Sequence, residues 1–239
     1  MKYLSVSDVL AGANAAMVDA EFDVTGALAS VVLGLSSALS TSAAAVLVDV
    51  DGHLEVLAAS SHRALDLEIH QTQAQEGPCL DTMRSGVEEH EVGADAITAR
   101  WPSVGPMIVA SGYESVQALP LRWHGVTFGG LNLFRGQATG FEDQRAECRA
   151  IADAVTMLIV SARLGNDQLG AGLRSALEER AVVELAKGAL AHAWELGMAS
   201  AFDALTGWAE ERHVTLGVAA RQVLDQARTQ QLAARTAPS

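Results

Sequence analysis

Apolar residues recur along this chain with two periods, and the switching between them divides it into elements. Gly26–Leu39 carries Leu28, Val32 and Leu35 at helical spacing. Two strand-like apolar runs follow, Ala44–Val50 and His53–Ser60, separated by Asp51-Gly52. Asp-Gly in that position predicts a two-residue hairpin, because both turn residues must accept positive φ. Glu76-Gly77-Pro78 precedes Cys79–Arg84, where proline suits the first turn of a short helix. Trp101–Ser111 reads as a loop and helix closed by Gly112, and Val116–Leu121 and Val126–Phe134 read as strands joined through His124-Gly125. Phe141-Glu142-Asp143 opens a long helix, acidic at its start as the helix dipole favours. Ile151, Val155, Leu158, Ile159 and Ala162 form its apolar stripe.

This order predicts an α+β domain, one antiparallel sheet with flanking helices, over residues 20–164, after a helical lead-in at 1–19. The segment 165–172, with three glycines in eight residues, reads as a hinge or a plain linker. Beyond it, 173–228 has the length and patterning of an all-α three-helix module, followed by a flexible tail at 229–239. Arg180 and Lys187 stand two turns apart on one face of the module's first helix. Val182, Leu185, Ala186, Ala189, Leu190 and Ala193 are expected on the opposite, packed side, leaving the two cations towards water. Leu173 and Leu177 lie on a different face, which predicts packing against a second chain.

Charge narrows the partners. The 239 residues carry a formal net charge of −13. Residues 1–172 hold 9 basic and 21 acidic residues, whereas 173–239 hold 7 and 8. Only the second region suits an anionic partner, and an acidic chain must bind nucleic acid locally and by shape. Two cysteines are too few for a disulfide scaffold or a zinc cluster. Ala27–Val48 lacks charged residues but is broken by Gly34 and several serines, so a buried helix running into a core strand is expected, not a membrane span. With no secretory signal at Met1–Leu10, a cytoplasmic location is expected.

Nothing in the sequence asks for catalysis. The seven histidines are scattered, with no pair at ligand spacing on one helix. Cys79, beside Pro78 at a helix start, is a candidate sensor thiol, against the commoner reading of a buried inert cysteine. Trp101 and Trp123 are candidate pocket residues or ordinary core. Gly129-Gly130 inside a strand marks a bulge or a close approach. Phe202 and Trp208 sit among small apolar residues and read as core.

Two resemblances add to this reading. Ser175–Leu190 ("SALEERAVVELAKGAL") and Ser200–Leu224 ("SAFDALTGWAEERHVTLGVAARQVL") resemble the ANTAR domain, an RNA-binding output module of bacterial antitermination regulators. The matching positions are Arg180, Ala186-Lys187-Gly188, Ala201-Phe202, Leu205, Ala209, Leu216 and Ala219. "EGPCLDTMRSG" (Glu76–Gly86), "WPSV" (Trp101–Val104) and Val116–Phe134 resemble a GAF domain, a small-molecule sensor module. The pair implies a non-enzymatic homodimer whose sensor domain sets the geometry of two output modules that bind hairpin loops of nascent transcripts. Arg180, Lys187 and Gly188 would contact RNA, with Arg174, Arg212 and Arg221 as the other cations at hand. A ligand near Cys79, Trp101 and Trp123 is implied but not identified, and no cofactor is specified. Ala193 and Thr206-Gly207 stand where the family often carries basic residues. That departure supports an alternative, a protein-interaction or dimerisation module with little RNA affinity.

Overall fold

A computed structural model of the chain describes residues 4–19, 23–162 and 169–236, with side chains from 177 to 229 in the last segment. The apolar periods resolve into the expected sheet and helices. Helices α1 (Val6–Val18) and α2 (Val24–Ala38) lead into strands β1 (Ala43–Val50) and β2 (His53–Ala59). Helices α3 (His62–Ala74) and α4 (Pro78–Ser85), strand β3 (Glu89–Val92), and helices α5 (Ala94–Arg100) and α6 (Gly105–Ala110) follow. Strands β4 (Ser115–Trp123) and β5 (Val126–Arg135) and the long helix α7 (Arg145–Ser161) complete the domain.

The five strands lie in the order β2-β1-β5-β4-β3, and every neighbouring pair is antiparallel. Both tight turns form as their sequences require, with positive φ at Asp51, Gly52, His124 and Gly125. The first six residues of β1 are buried because both faces of the sheet are covered. Ala44, Val46 and Val48 join a core with α1, α2 and α7. On the other face, Ala64, Leu67, Trp101, Ile108 and Phe134 form a second core with α3, α5 and α6. The lead-in helix α1 is thus part of the domain, since Val9 and Ala13 are buried in the first core. Its start is fixed by a capping box between Ser5 and Asp8.

Gly129 and Gly130 have separate reasons. A Cβ on Gly129 would collide with the Leu47 carbonyl oxygen, and one on Gly130 would lie 2.7 Å from Cys79 Sγ. The β4–β5 register also shifts next to them, between Leu121 and Arg122, so the pair marks close approach beside a bulge.

Helices α8 (Leu169–Trp194), α9 (Met198–Arg212) and α10 (Leu216–Thr236) form the C-terminal module around its own core of Val183, Ala186, Leu190, Ala201, Leu205 and their neighbours. Glu195 and His213, both in the left-handed region, end α8 and α9. Part of the expected hinge lies outside the described residues, and 169–172 are already helix; the expected tail is helical to Thr236, with 237–239 outside the description. Ala27–Val48 folds as most of α2, the connecting turn and most of β1, and among the described residues no helix is long and apolar enough to cross a membrane.

Candidate nucleic-acid interface

Helix α8 brings Arg180 and Lys187 to one face, but that face does not point to water. Lys187 is 8% exposed. Its Nζ donates to both carboxylate oxygens of Glu184 at 2.9 and 3.0 Å and lies 5.3 Å from the centre of the Phe202 ring. Arg180 is half-buried, and burial pulls its pKa below the ordinary value against the attraction of Glu184 and Glu55. Both residues line a cleft against the sheet domain. The expectation of a water-facing ridge is therefore corrected for this arrangement of the chain.

The cause is a wider buried arc than one module supplies. Val183, Ala186 and Leu190 pack on α9 and α10, while the same helix also meets the sheet domain. Leu177 packs against the first sheet-domain core, where sequence reasoning placed a second chain. The water-facing arc is consequently Ala181, Leu185, Gly188 and His192, with Leu185, expected in the core, 64% exposed. Ala193 is likewise exposed. Phe202 and Trp208 are partly buried against the module core, as expected.

The remaining candidate cations do not gather on this face. The Arg174 side chain lies outside the description; Arg212 is exposed at the end of α9, its guanidinium 4.7 Å from the centre of the Trp208 ring; Arg221 is exposed on α10. Gly188 is exposed with open space beside it, so the backbone of α8 is accessible there.

Sequence reasoning missed the residue that holds the two domains in register. Asp23 Oδ1 accepts from Gly26 N–H at 2.9 Å and Oδ2 from Leu216 N–H at 2.7 Å, so one carboxylate caps α2 and α10 together. Thr25 Oγ1 reinforces the contact by donating to Glu179 at 3.4 Å. Asp-Val-Thr-Gly is a legible cap signal for α2; nothing in it announces a second helix nearly 200 residues away.

The three candidate pocket residues are dispersed. Cys79 is fully buried, its pKa raised well above the ordinary value by burial and by nearby Glu68. Trp101 is buried in the second core, its ring N–H donating to Asp81 at 2.9 Å. Trp123 packs beside the first core, on the opposite face of the sheet. None of the three lines the interdomain cleft, and the space between the sheet and α3 is filled by Leu67, Ile108 and Phe134. Beneath α3 the structure instead holds an uncharged-partner network. Glu68, fully buried, accepts from Asn132 Nδ2 at 2.8 and 2.9 Å and from Gln71 Nε2 at 2.6 Å. With no cation to offset burial, its carboxyl pKa rises to about 8.

Residues 171–224 match the family model of the ANTAR domain. The N-terminal part is similar to solved GAF domains. The Aquifex aeolicus protein ("A. Aeolicus nlh2 gaf domain in an inactive state") aligns at 12% identity and a TM-score of 0.52, over 66% of this chain and 97% of that one. A phycoerythrobilin-bound GAF domain of a cyanobacterial phytochrome aligns at 17% identity and 0.51, over 69% and 99%. The GAF domain of a Coxiella burnetii phosphoenolpyruvate-protein phosphotransferase aligns at 18% identity and 0.50, over 68% and 97%. No curated protein matches the chain. The chain thus joins a GAF-fold domain to an ANTAR domain, and the antiparallel sheet with flanking helices followed by a three-helix module is the architecture expected from its sequence.

Proposed function

We propose that this protein is a cytoplasmic, non-enzymatic regulator of transcription antitermination that binds RNA hairpin loops through its ANTAR domain. It acts as a homodimer, and its GAF-fold domain controls the placement of the two output modules. The carrying observation is the ANTAR match over 171–224, which contains Arg180, Lys187 and Gly188 on a helix with its own packed module core. Arginine supplies a planar fork for bases and phosphates, and lysine a point charge. With Arg180 and Lys187 facing the GAF-fold domain, RNA engagement requires the module to swing away, which gives the sensor domain its control. A small molecule biases that equilibrium only as far as it binds the two arrangements with different affinity.

The burial of Lys187 against Glu184 favours a second reading, a protein-interaction module with little RNA affinity. Titration of the full chain against a two-hairpin RNA at two salt concentrations separates the two. RNA binding predicts that Arg180→Ala and Lys187→Ala each weaken the complex, and that Asp23→Ala, which loosens the interdomain cap, strengthens it. Equal and negligible binding by every form supports the second reading.

A further inference from the structure

The cleft between the two domains is a cavity of about 780 Å³, a size that admits a metabolite-sized molecule. Its GAF-fold wall is one side of α2, the junction of β2 and α3, and Ser111–Tyr113, and its other wall is α8 with the starts of α9 and α10. Three cations, Arg63, Arg180 and Lys187, face two carboxylates, Glu184 and Asp203, in its lining. Glu184 is engaged by Lys187, and Asp203 is exposed. Arg180, half-buried, feels the attraction of Glu184 and Glu55, but among the described residues it has no carboxylate within ion-pair distance and makes no hydrogen bond. A guanidinium taken partly out of water without a hydrogen-bond partner leaves up to five donors unanswered, an arrangement that favours an incoming anion. On the facing wall the 13-residue helix α3 begins at His62 behind its cap Ser61, so its amide end and the Arg63 side chain, which donates to the Ser111 carbonyl, add positive potential. His62 Nε2 is buried there without a partner. Between these groups the lining is apolar, with Val183, Met198 and Phe202 prominent.

We propose that this interdomain cleft is a binding site for a small organic acid with an apolar body, its acidic group held by Arg180 and its body packed on Phe202 and Val183. Because both domains form the walls, the bound acid holds them together. It also occupies the guanidinium that RNA would need, so acid and RNA exclude each other. This last step rests on the RNA-binding reading above; the site itself does not.

The test uses the full chain with 1-naphthyl phosphate as probe and 1-naphthol as its neutral counterpart, followed by calorimetry. The phosphate is expected to bind at least about tenfold more tightly than the alcohol, and Arg180→Gln to abolish that difference. Arg63→Gln, on an exposed side chain whose loss does not threaten folding, is expected to weaken the phosphate severalfold. Equal binding of the two probes, unchanged affinity in Arg180→Gln, or no binding of either at ~1 mM overturns the site. In a second arm, the phosphate is expected to lower RNA affinity in proportion to its occupancy of the cleft. If RNA binds and the phosphate leaves that affinity unchanged, mutual exclusion is overturned. If no form binds RNA while the probes behave as expected, the RNA reading fails and the cleft stands.

Discussion

Glu68 is the residue whose chemistry departs furthest from its sequence context. A carboxyl raised from 4.5 to about 8 is held protonated by the fold at neutral pH. The sign follows: the folded state binds the proton more tightly than the unfolded chain, so the group's contribution is complete below about pH 4.5 and is lost as pH rises towards 8. Glu68→Gln, which keeps an oxygen for Asn132, is expected to flatten that part of the profile. Thermal unfolding at about pH 5 and about pH 8 should show wild type losing on the order of a few kcal/mol relative to the variant. Gly130 makes a steric counterpart. Gly130→Ala places a methyl group 2.7 Å from Cys79 Sγ, and should cost about 1–3 kcal/mol by urea unfolding, as overpacking does. The close approach at Gly130 could be suspected from two glycines inside a strand. The role of Glu68 could not, because Gln71 is a neighbour on the same helix, while Asn132 comes from β5 and only the folded sheet brings it beneath α3.

Among the elements, those with a local cause were the legible ones. The hairpins at Asp51-Gly52 and His124-Gly125 and the α7 stripe of Ile151, Val155, Leu158 and Ile159 all formed where turn chemistry and periodicity placed them. Leu158→Ala in that stripe is expected to cost about 2–5 kcal/mol, read from the denaturation midpoint at unchanged slope. Strand β3 was missed because Glu-His-Glu-Val has no apolar alternation; it pairs with β4 at the sheet edge, where tertiary hydrogen bonding decides. Asp23 joins two elements at once. Asp23→Ala should cost about 1–2 kcal/mol for lost caps and, unlike a simple cap deletion, should increase the radius of gyration in solution scattering. A variant as compact as wild type would show that Asp23 does not hold the domains together.

For the molecule as a whole, the governing fact is that the face carrying Arg180 and Lys187 is shared between RNA recognition, as proposed, and the GAF-fold domain. On that proposal, regulation is a competition for one surface, with no need for a long coupling path. Arg180 and Lys187, the pair on that face, allow roughly two phosphate contacts, which sets the log–log salt slope for looped RNA at about −1.4. Doubling the salt should therefore weaken binding roughly two- to threefold. A slope near zero would remove phosphate contact from the proposed interface.

Local rules therefore settled the division into a sheet region and a helical module, the helices α2, α4 and α7, the hairpins and the pair of cations two turns apart, because each depends on residues within a few turns of one another. They could not settle which way that pair faces. Orientation depends on the whole buried arc of α8, and that arc is fixed by α9 and α10 on one side and by the GAF-fold domain on the other. The cap from Asp23 to Leu216, the seating of Leu177 on the sheet-domain core and the unpartnered guanidinium in the cleft all arise from contacts between distant segments. No local period encodes such contacts; only the closed chain brings their partners within reach.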